Sequence, residues 1–301
     1  MSAEREFLSW TDSCGNVYHY YQKPMLRAVI FILLQEICER LSLAAILPNA
    51  QTFFKEYLNY TDVQANSYIA SFSAIFYVTP LFAAVLSDTF LGVYAAILSF
   101  SGIYMLGLIS LFLATIKSIS QPWMIHLSLL VLITIGGGGL KTCVNVMGAH
   151  QFHPDYHKDD ITSYYNYFYA IINFGSLVGG VAAPIAVQET NFTIAFAIPL
   201  TAFVVATAVF LLGGLLGRYV KPKPQGSAVL KILRVMVYAI GKRSLEKNKK
   251  SRGGRFEDGF IEDVKALLHL VPLFSLIIPF AIAYVNLGTS YLTQAQKMDR
   301  R

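Results

Sequence analysis

Long blocks without a charged residue alternate with short polar segments along most of the chain. Six such blocks contain no Asp, Glu, Lys or Arg: residues 63–87, 89–116, 118–140, 161–188, 190–217 and 266–296. A helix of roughly 20 apolar residues spans the hydrocarbon core of a bilayer, which is about 30 Å thick. Each block is long enough, so each is predicted to be a membrane-spanning helix.

A seventh apolar block, residues 28–54, is interrupted by three charges, Glu36, Glu39 and Arg40. With this block included, the pattern predicts an all-α polytopic membrane protein with seven spans. The period-two alternation that marks the strands of a membrane barrel is absent. We therefore expect four regions: a cytosolic N-terminus, a six-helix bundle, a basic cytosolic linker with a short amphipathic helix, and a seventh span that begins a second bundle (1–24, 25–217, 218–264 and 265–301).

Composition agrees with this class of protein. Of the 301 residues, 55% are hydrophobic and 14% are charged, whereas soluble domains carry about 25% charged residues. Residues 1–24 have no apolar core of the kind found in secretory signals. The three cysteines, Cys14, Cys38 and Cys143, are scattered, and two fall inside spans, which argues against a disulfide framework.

The orientation follows from the basic residues. Residues 218–255 contain 12 of the 24 Lys and Arg residues, and the positive-inside rule places such a loop in the cytosol. Six spans precede it, so the N-terminus is expected to be cytosolic too. Two N-glycosylation sequons, at Asn59 and Asn191, then fall in outer loops.

The basic loop at 218–255 also suits nucleic acid, but topogenic charge and attraction to anionic lipid are favoured. We expect the lipid bilayer and no nucleic acid as partner, in the plasma membrane or an endolysosomal membrane.

The charges in the first span are spaced i, i+3 and i+4, which places them on one helical face. A charge at the centre of a membrane helix costs about 2.5–3.5 kcal/mol on insertion scales. Three of them need an aqueous cavity, mutual pairing, or both. Two glutamates beside an arginine in such a cavity form a candidate proton relay, because one proton uncouples a pair and its loss restores the pair.

Lys141 is a second charge in an apolar region, after the glycine run Gly136 to Gly139. The stretch departs from a phosphate-binding P-loop because Leu140 stands where that motif has glycine, and no strand precedes it. Four glycines favour close helix–helix contact. A lysine that snorkels to the membrane interface is the alternative to an intramembrane role.

Several stretches resemble the proton-dependent oligopeptide transporters of the major facilitator superfamily. The resemblance covers residues 25 to 298, and among the branches the seventh helix is most similar to the peptide/histidine transporters. EICERLS resembles the E-x-x-E-R motif of the first helix. The other matching stretches are YVTPLFAAVLSDTFLG on the second helix, GGGGLKTCVNVMGAHQF on the fourth, YNYFYAIINFGSLVGG on the fifth, and FIEDVKALLHLVPLF with TSYLTQAQKM around the seventh.

The resemblance implies roles for individual residues and an alternating-access symporter, not an enzyme, with protons as coupling ion and no other cofactor. Proton coupling would fall to Glu36, Glu39, Arg40 and Lys141, with the lysine paired to the cluster. Tyr77 and Asn173 would contact a small zwitterionic substrate, a di- or tripeptide or histidine. Asp88 matches the acid of the cytoplasmic loop motif.

Some peptide-binding positions of the family differ here. Leu47 replaces an arginine that holds a peptide carboxylate in many members, and the run after Arg40 lacks the usual aromatics. The resemblance also implies that a complete member has five more helices. The second hypothesis is therefore a truncated, non-transporting membrane protein that self-associates, or that pairs with and regulates a full-length relative.

Three histidines in the loop after the fourth span, His150, His153 and His157, raise the question of a zinc site. Pro154 interrupts a common helical face, and no cysteine is near. We favour a solvated loop and expect no metal.

Overall fold

The computed structural model describes residues 7–12, 14–224, 226–242 and 244–287, together with residues 291, 294 and 298. These residues fall into two compact units divided after Pro224. The first unit contains a small hairpin and most of the helices. The second contains most of the basic segment and the two helices that follow it.

Seven α-helices and one β-hairpin form the described part of the first unit. π-Helical turns precede α1, extend α2 and join α4 to α5, at Met25–Val29, Ser87–Leu91 and Leu127–Ile133. The hairpin pairs β1 and β2 in antiparallel register. The elements are β1 Phe7–Thr11, β2 Val17–Tyr21, α1 Ile30–Leu58, α2 Asp62–Leu86, α3 Val93–Ala114, α4 Pro122–His126, α5 Thr134–Ala149, α6 Lys158–Glu189 and α7 Phe192–Leu215.

Five helical segments in this unit are long and apolar enough to cross a membrane, judged over the described residues. They are Asp62–Leu91, Val93–Ala114, Pro122–Ala149, Lys158–Glu189 and Phe192–Leu215. The predicted first span is α1, which is 29 residues long. It carries three charges in its apolar half, and it is not among the five segments that are both long and apolar enough.

Glycine lets α5 approach its neighbours closely. A Cβ atom added at Gly136 would lie 2.5 Å from the backbone nitrogen of Tyr104 on α3. A Cβ atom added at Gly139 would collide with the ring of Phe100, which also lies on α3. Small residues are the usual means of close helix packing in membranes. The glycine run therefore fixes the α3–α5 distance, and through it the position of everything that α5 carries.

The N-terminal segment forms a hairpin that the sequence did not lead us to expect. Asp12 organises its turn: its carboxylate accepts hydrogen bonds from the backbone N–H groups of Cys14 and Asn16, at 2.9 and 2.8 Å. The side-chain hydrogen bond from Asn16 lowers the pKa of Asp12, and the backbone hydrogen bonds act in the same direction. Lys223 reaches back to donate to the Asn16 side chain at 2.9 Å.

The first unit extends past the predicted boundary at residue 217. Tyr219 is buried and donates to the carbonyl of Phe210 at 3.1 Å. The N–H of Val220 donates to the side chain of Gln151 at 2.9 Å. These contacts hold the segment before Pro224 against the ends of α5 and α7, so it is part of the bundle and not of the linker.

The second unit contains α8 Ala228–Lys242, two short 3₁₀ turns at Glu246–Asn248 and Lys250–Arg252, α9 Asp258–Ser275 and α10 Ile278–Leu287. Val235 of α8 is buried with Ile261 and Val264 of α9. Lys249 pairs with Glu246 at 3.0 Å and also contacts Glu262. Hydrophobic contact and ion pairing thus join the basic segment to the start of α9.

The prediction of a single helix over 266–296 is wrong, because α9 and α10 meet at a bend of 47°. Pro279 explains the break, because it has no N–H for the carbonyl of Ser275 and its ring clashes with that carbonyl. The last turn of α9 closes instead with tight bonds, such as the N–H of Ile277 to the carbonyl of Phe274 at 3.0 Å. Counted as one broken span, this pair brings the candidate spans among the described residues to six.

We predict that Gly136→Ala destabilises the bundle by about 1–3 kcal/mol, the usual cost of an overpacked site. The added methyl group meets backbone atoms of Tyr104, which cannot move aside by changing rotamer. Thermal unfolding of the purified protein in detergent measures the effect.

Gly102→Ala is the matched control, because a Cβ atom at this position of α3 meets nothing within 4 Å. Its melting temperature should equal or exceed that of the wild type. Equal melting temperatures for all three proteins would contradict the account of α5 packing.

Candidate functional site

The three charges of the first span form one cluster on α1. The guanidinium of Arg40 holds the carboxylate of Glu36 at 3.2 Å, from Nε to Oε1. Its Nη2 atom contacts Oε2 of Glu39. Glu36 and Glu39 are each 1% exposed and Arg40 is 8% exposed. The spacing of one helical turn therefore produces the pairing that the sequence predicts, within the protein interior.

Two neighbouring helices leave room for this cluster. A Cβ atom added at Gly175 of α6 would lie 3.1 Å from Cβ of Arg40. One added at Gly137 of α5 would lie 3.4 Å from Oε1 of Glu39. Larger residues at either position would press on the charged side chains. The glycines thus bring α5 and α6 against the cluster and exclude bulk water from two sides.

The cluster is not electrically neutral by itself. Two carboxylates and one guanidinium leave one negative charge, and an unbalanced charge in a protein interior costs several kcal/mol. Oε2 of Glu36 and Oε1 of Glu39 are buried, and neither has a hydrogen-bond partner among the described residues. A proton on either oxygen would cancel the excess charge, and so would a nearby cation.

Tyr104 of α3 belongs to the site, although the sequence analysis did not single it out. The side chain is fully buried, and its hydroxyl interacts electrostatically with Glu39 and Arg40. Tyr104 lies near the middle of an apolar span whose other tyrosine, Tyr94, stands at the start of the helix, and this central position is the signal that was available. Its phenol is a hydrogen-bond donor and acceptor beside the carboxylates, so it adds a polar group to a region with few others.

Lys141 lies near the cluster but makes no ion pair with it among the described residues. Its ammonium lies 4.2 Å from the ring centroid of Tyr77 and 5.8 Å from that of Phe76, both on α2. Its charge nevertheless acts on both Glu36 and Glu39. The expected pairing is therefore replaced by a cation–π contact. Because α5 continues to Ala149, the lysine is also two turns from the helix end, which disfavours snorkelling.

Asn173 and Asp88, two other predicted site residues, make no hydrogen bond or ion pair with the cluster among the described residues. Asn173 is exposed on α6, and its amide donates to the carbonyl of Tyr169 at 2.8 Å. Asp88 is half-buried in the π-helical turn after α2, where its charge acts on His150. Burial lowers the pKa of His150, and the charge of Asp88 opposes that change.

The two sequons lie at the same end of the first unit. Asn59 is exposed and ends α1 in the left-handed conformation, with φ 53°. Asn191 is exposed and caps α7 by accepting the N–H of Ile194 at 3.0 Å. The end of α3 joins the two turns, because Thr115 accepts a hydrogen bond from Tyr57 through its carbonyl and donates one to Thr193 through its hydroxyl.

The expectation of a solvated histidine loop is wrong. His153 is 6% exposed and His157 is 5% exposed. Nδ1 of His153 accepts the backbone N–H of Asp155 at 3.1 Å, and Nδ1 of His157 accepts that of His153 at 3.0 Å. The ring of Tyr20, from the hairpin, covers His153 at 5.4 Å between centroids. The hairpin, which the sequence did not reveal, is the reason that this loop is buried.

Comparison with known proteins finds one matching family model and several similar proteins. A family model described as PTR2, POT family, matches residues 94–301. Solute carrier family 15 member 2 of Mus musculus is 30% identical over 291 residues, which cover 90% of this chain and 39% of that protein. Protein NRT1/PTR FAMILY 8.5 of Arabidopsis thaliana is 27% identical over 365 residues, which cover 97% of this chain and 62% of that protein.

Solved structures resemble this chain over most of its length. The crystal structure of an auto-inhibited POT family peptide transporter has a TM-score of 0.73 and 25% identity, covering 91% of this chain and 63% of that chain. The POT family transporter PepTSo has a TM-score of 0.75 at 23% identity, a likeness of fold. This chain thus spans about 40 to 60% of the length of the relatives described above.

Proposed function

Since the chain belongs to the POT family of transporters, we propose that it forms the proton-binding half of a proton-coupled carrier for small peptides. The observation that carries this proposal is the buried cluster of two glutamates and one arginine on α1. The cluster by itself carries one excess negative charge, so a proton and the ammonium of Lys141 are alternative ways to balance it.

The coupling step uses the residues of the cluster alone. With both carboxylates ionised, Arg40 forms ion pairs with both Glu36 and Glu39. A proton on one carboxylate removes its attraction to the guanidinium, and Arg40 then pairs with the other carboxylate. Loss of the proton restores the shared arrangement. Such an exchange of partners is a two-state element of the kind that couples a ligand to a conformational change.

The substrate side of the proposal rests on α2 and α6. Tyr77, 62% exposed, and Asn173 stand on surfaces that the described helices leave uncovered. A cavity closed by a second helix bundle would place them at a midplane site, as in alternating-access transporters. A tyrosine hydroxyl and an asparagine amide suit a zwitterion with both donors and acceptors. Di- and tripeptides are the substrates we favour, with histidine as the alternative.

We also propose that the N-terminus and the basic segment face the cytosol, in a plasma or endolysosomal membrane. The two sequon turns share one end of the first unit, and the basic residues follow α7, which begins at that end and runs away from it. Charge and sequon placement thus agree. Protons as coupling ion require no resident cofactor.

A second candidate function is regulation of a full-length relative by pairing or self-association. It is favoured by the apolar side chains that α2 exposes, Val78, Leu81 and Phe82. Vesicles containing a complete form of the protein, in which a second helix bundle closes the cavity, and vesicles containing this chain with a full-length relative distinguish the two. Gradient-driven uptake by the complete form supports the carrier. An altered rate only in the mixed vesicles supports the regulator.

Glu39→Gln, and likewise Glu36→Gln, should abolish uptake of a labelled dipeptide driven by a proton gradient. Counterflow exchange should persist in part, because it requires substrate movement but no net proton transfer. The glutamine keeps the size and the hydrogen-bonding oxygen of the side chain and removes the titration. Both rates are measured in lipid vesicles that contain a complete form of the protein, with its second helix bundle.

Glu56→Gln is the control, since Glu56 is an exposed glutamate of the same helix; it should leave both rates unchanged. Full gradient-driven uptake by a protein with glutamine at both Glu36 and Glu39 would remove the role assigned to the cluster.

For the orientation, a cysteine at Ser118 should react with an impermeant thiol reagent on intact cells, and one at Ser251 only after permeabilisation. Both serines are exposed, one in the turn between α3 and α4 and one in the basic segment. Both variants are made with Cys14 replaced by serine, because Cys14 is an exposed thiol. Reaction at position 251 alone in intact cells would invert the assignment.

A further inference from the structure

We propose that the aromatic ring of Tyr77 is a positioning group for Lys141. The ring provides a second binding position for the ammonium, as an alternative to a position beside the glutamates of the charge cluster. The inference rests on the proposed function and gives Tyr77 a role other than substrate contact. It begins from the observed contact, in which Nζ of Lys141 lies 4.2 Å from the centroid of the Tyr77 ring.

The backbone geometry brings the two side chains together. A Cβ atom added at Gly137 would lie 2.7 Å from the ring of Phe76, and one added at Gly138 would lie 2.9 Å from its carbonyl oxygen. This face of α5 is therefore pressed against α2. Lys141 follows one turn later on the same face, and helical side chains lean back toward the N-terminus of their helix. Its ammonium thus returns to the level of Phe76 and Tyr77.

The charges around Lys141 explain why the ammonium needs a second binding position when a glutamate is protonated. Arg40 repels the ammonium, whereas Glu36 and Glu39 attract it. When both carboxylates are ionised, the cluster and the lysine together are neutral. When one carboxylate takes a proton, Arg40 balances the other, and the lysine becomes a surplus cation. Among the described residues, the titratable groups around this region are Glu36, Glu39 and Arg40 of α1, Tyr77 of α2, Tyr104 of α3 and Tyr164 of α6, whose hydroxyl interacts with Glu36.

An aromatic face can hold a surplus cation without being an acid or a base. The ring quadrupole attracts an ammonium within about 6 Å, most strongly where water is scarce. Tyr77 meets this distance and lies beside the buried ring of Phe76 at 5.9 Å between centroids. The ring, and not the hydroxyl, performs this task. That distinction separates the proposal from a role for Tyr77 as a hydrogen-bond donor to substrate.

The test compares Tyr77→Phe, which keeps the ring, with Tyr77→Leu, which removes it. The readout is acylation of Lys141 by an uncharged amine reagent as a function of pH, followed by mass spectrometry on the 301-residue protein in lipid. Only the neutral amine reacts, so the pH midpoint reports the stability of the ammonium. The plateau at high pH reports access of the reagent and corrects for any change in exposure.

We expect the wild type and Tyr77→Phe to share one midpoint. In Tyr77→Leu the rate below the midpoint should rise about 3- to 30-fold relative to the plateau, the range that corresponds to an ordinary cation–π contact. Phe82→Leu is the control, an exposed aromatic on the same helix, and should match the wild type. Lys141→Arg identifies the labelled peptide by its loss.

Two results would overturn the proposal. A wild-type midpoint in Tyr77→Leu would mean that the ring does not hold the ammonium. A shift of equal size in Tyr77→Phe would assign the effect to the hydroxyl. The assay uses neither substrate nor gradient, so its outcome is independent of peptide uptake. Failure of uptake would contradict the proposed carrier function and would not affect the proposal that Tyr77 holds the ammonium of Lys141.

Discussion

A single guanidinium that holds two buried carboxylates is the constraint on which this bundle depends. Arg40 contacts both Glu36 and Glu39 in a region that solvent barely reaches. The other ion pairs among the described residues lie near helix ends, in loops or in the second unit. Burial makes each unpaired charge costly, so the packing around α1 has to be close and has to retain polar partners. Glycine on α5 and α6 meets the first requirement, and the phenol of Tyr104 contributes to the second.

The two ends of the first unit are held by different chemistry. At one end, hydroxyl groups join the turns that carry the sequons. At the other, the hairpin, the histidine loop and the segment before Pro224 bind one another through backbone groups. The N–H of Val220 donates to the side chain of Gln151 at 2.9 Å, and Nε2 of His157 lies 3.2 Å from the carbonyl oxygen of Gln22. Between these ends lie the charge cluster and the lysine over its aromatic ring. The bundle thus combines fixed ends with a middle in which a proton changes the pairing.

The sequence predicts most of this architecture, because apolar block length and charge spacing are strong signals. The blocks at 63–87 and 190–217 correspond closely to α2 and α7, and the spacing of Glu36 and Arg40 predicts their pairing. Features that depend on contacts between distant segments could not be predicted from the sequence. The Tyr77–Lys141 contact, the burial of His153 and the site position of Tyr104 each require the helices to be packed. The bend at Pro279 was accessible in principle, but a proline within a span also occurs in continuous helices.

The most direct test of the central claim is the stability of an Arg40 series. Arg40→Ala should lower the free energy of unfolding by about 3–5 kcal/mol, because it leaves two buried carboxylates without a partner. Adding Glu36→Gln and Glu39→Gln to Arg40→Ala should restore much of that loss by removing the stranded charges. Thermal unfolding of the purified proteins in one detergent at neutral pH gives the comparison. If Arg40→Ala melted at the wild-type temperature, or the triple variant were no more stable than Arg40→Ala, the charge cluster would not be the constraint described.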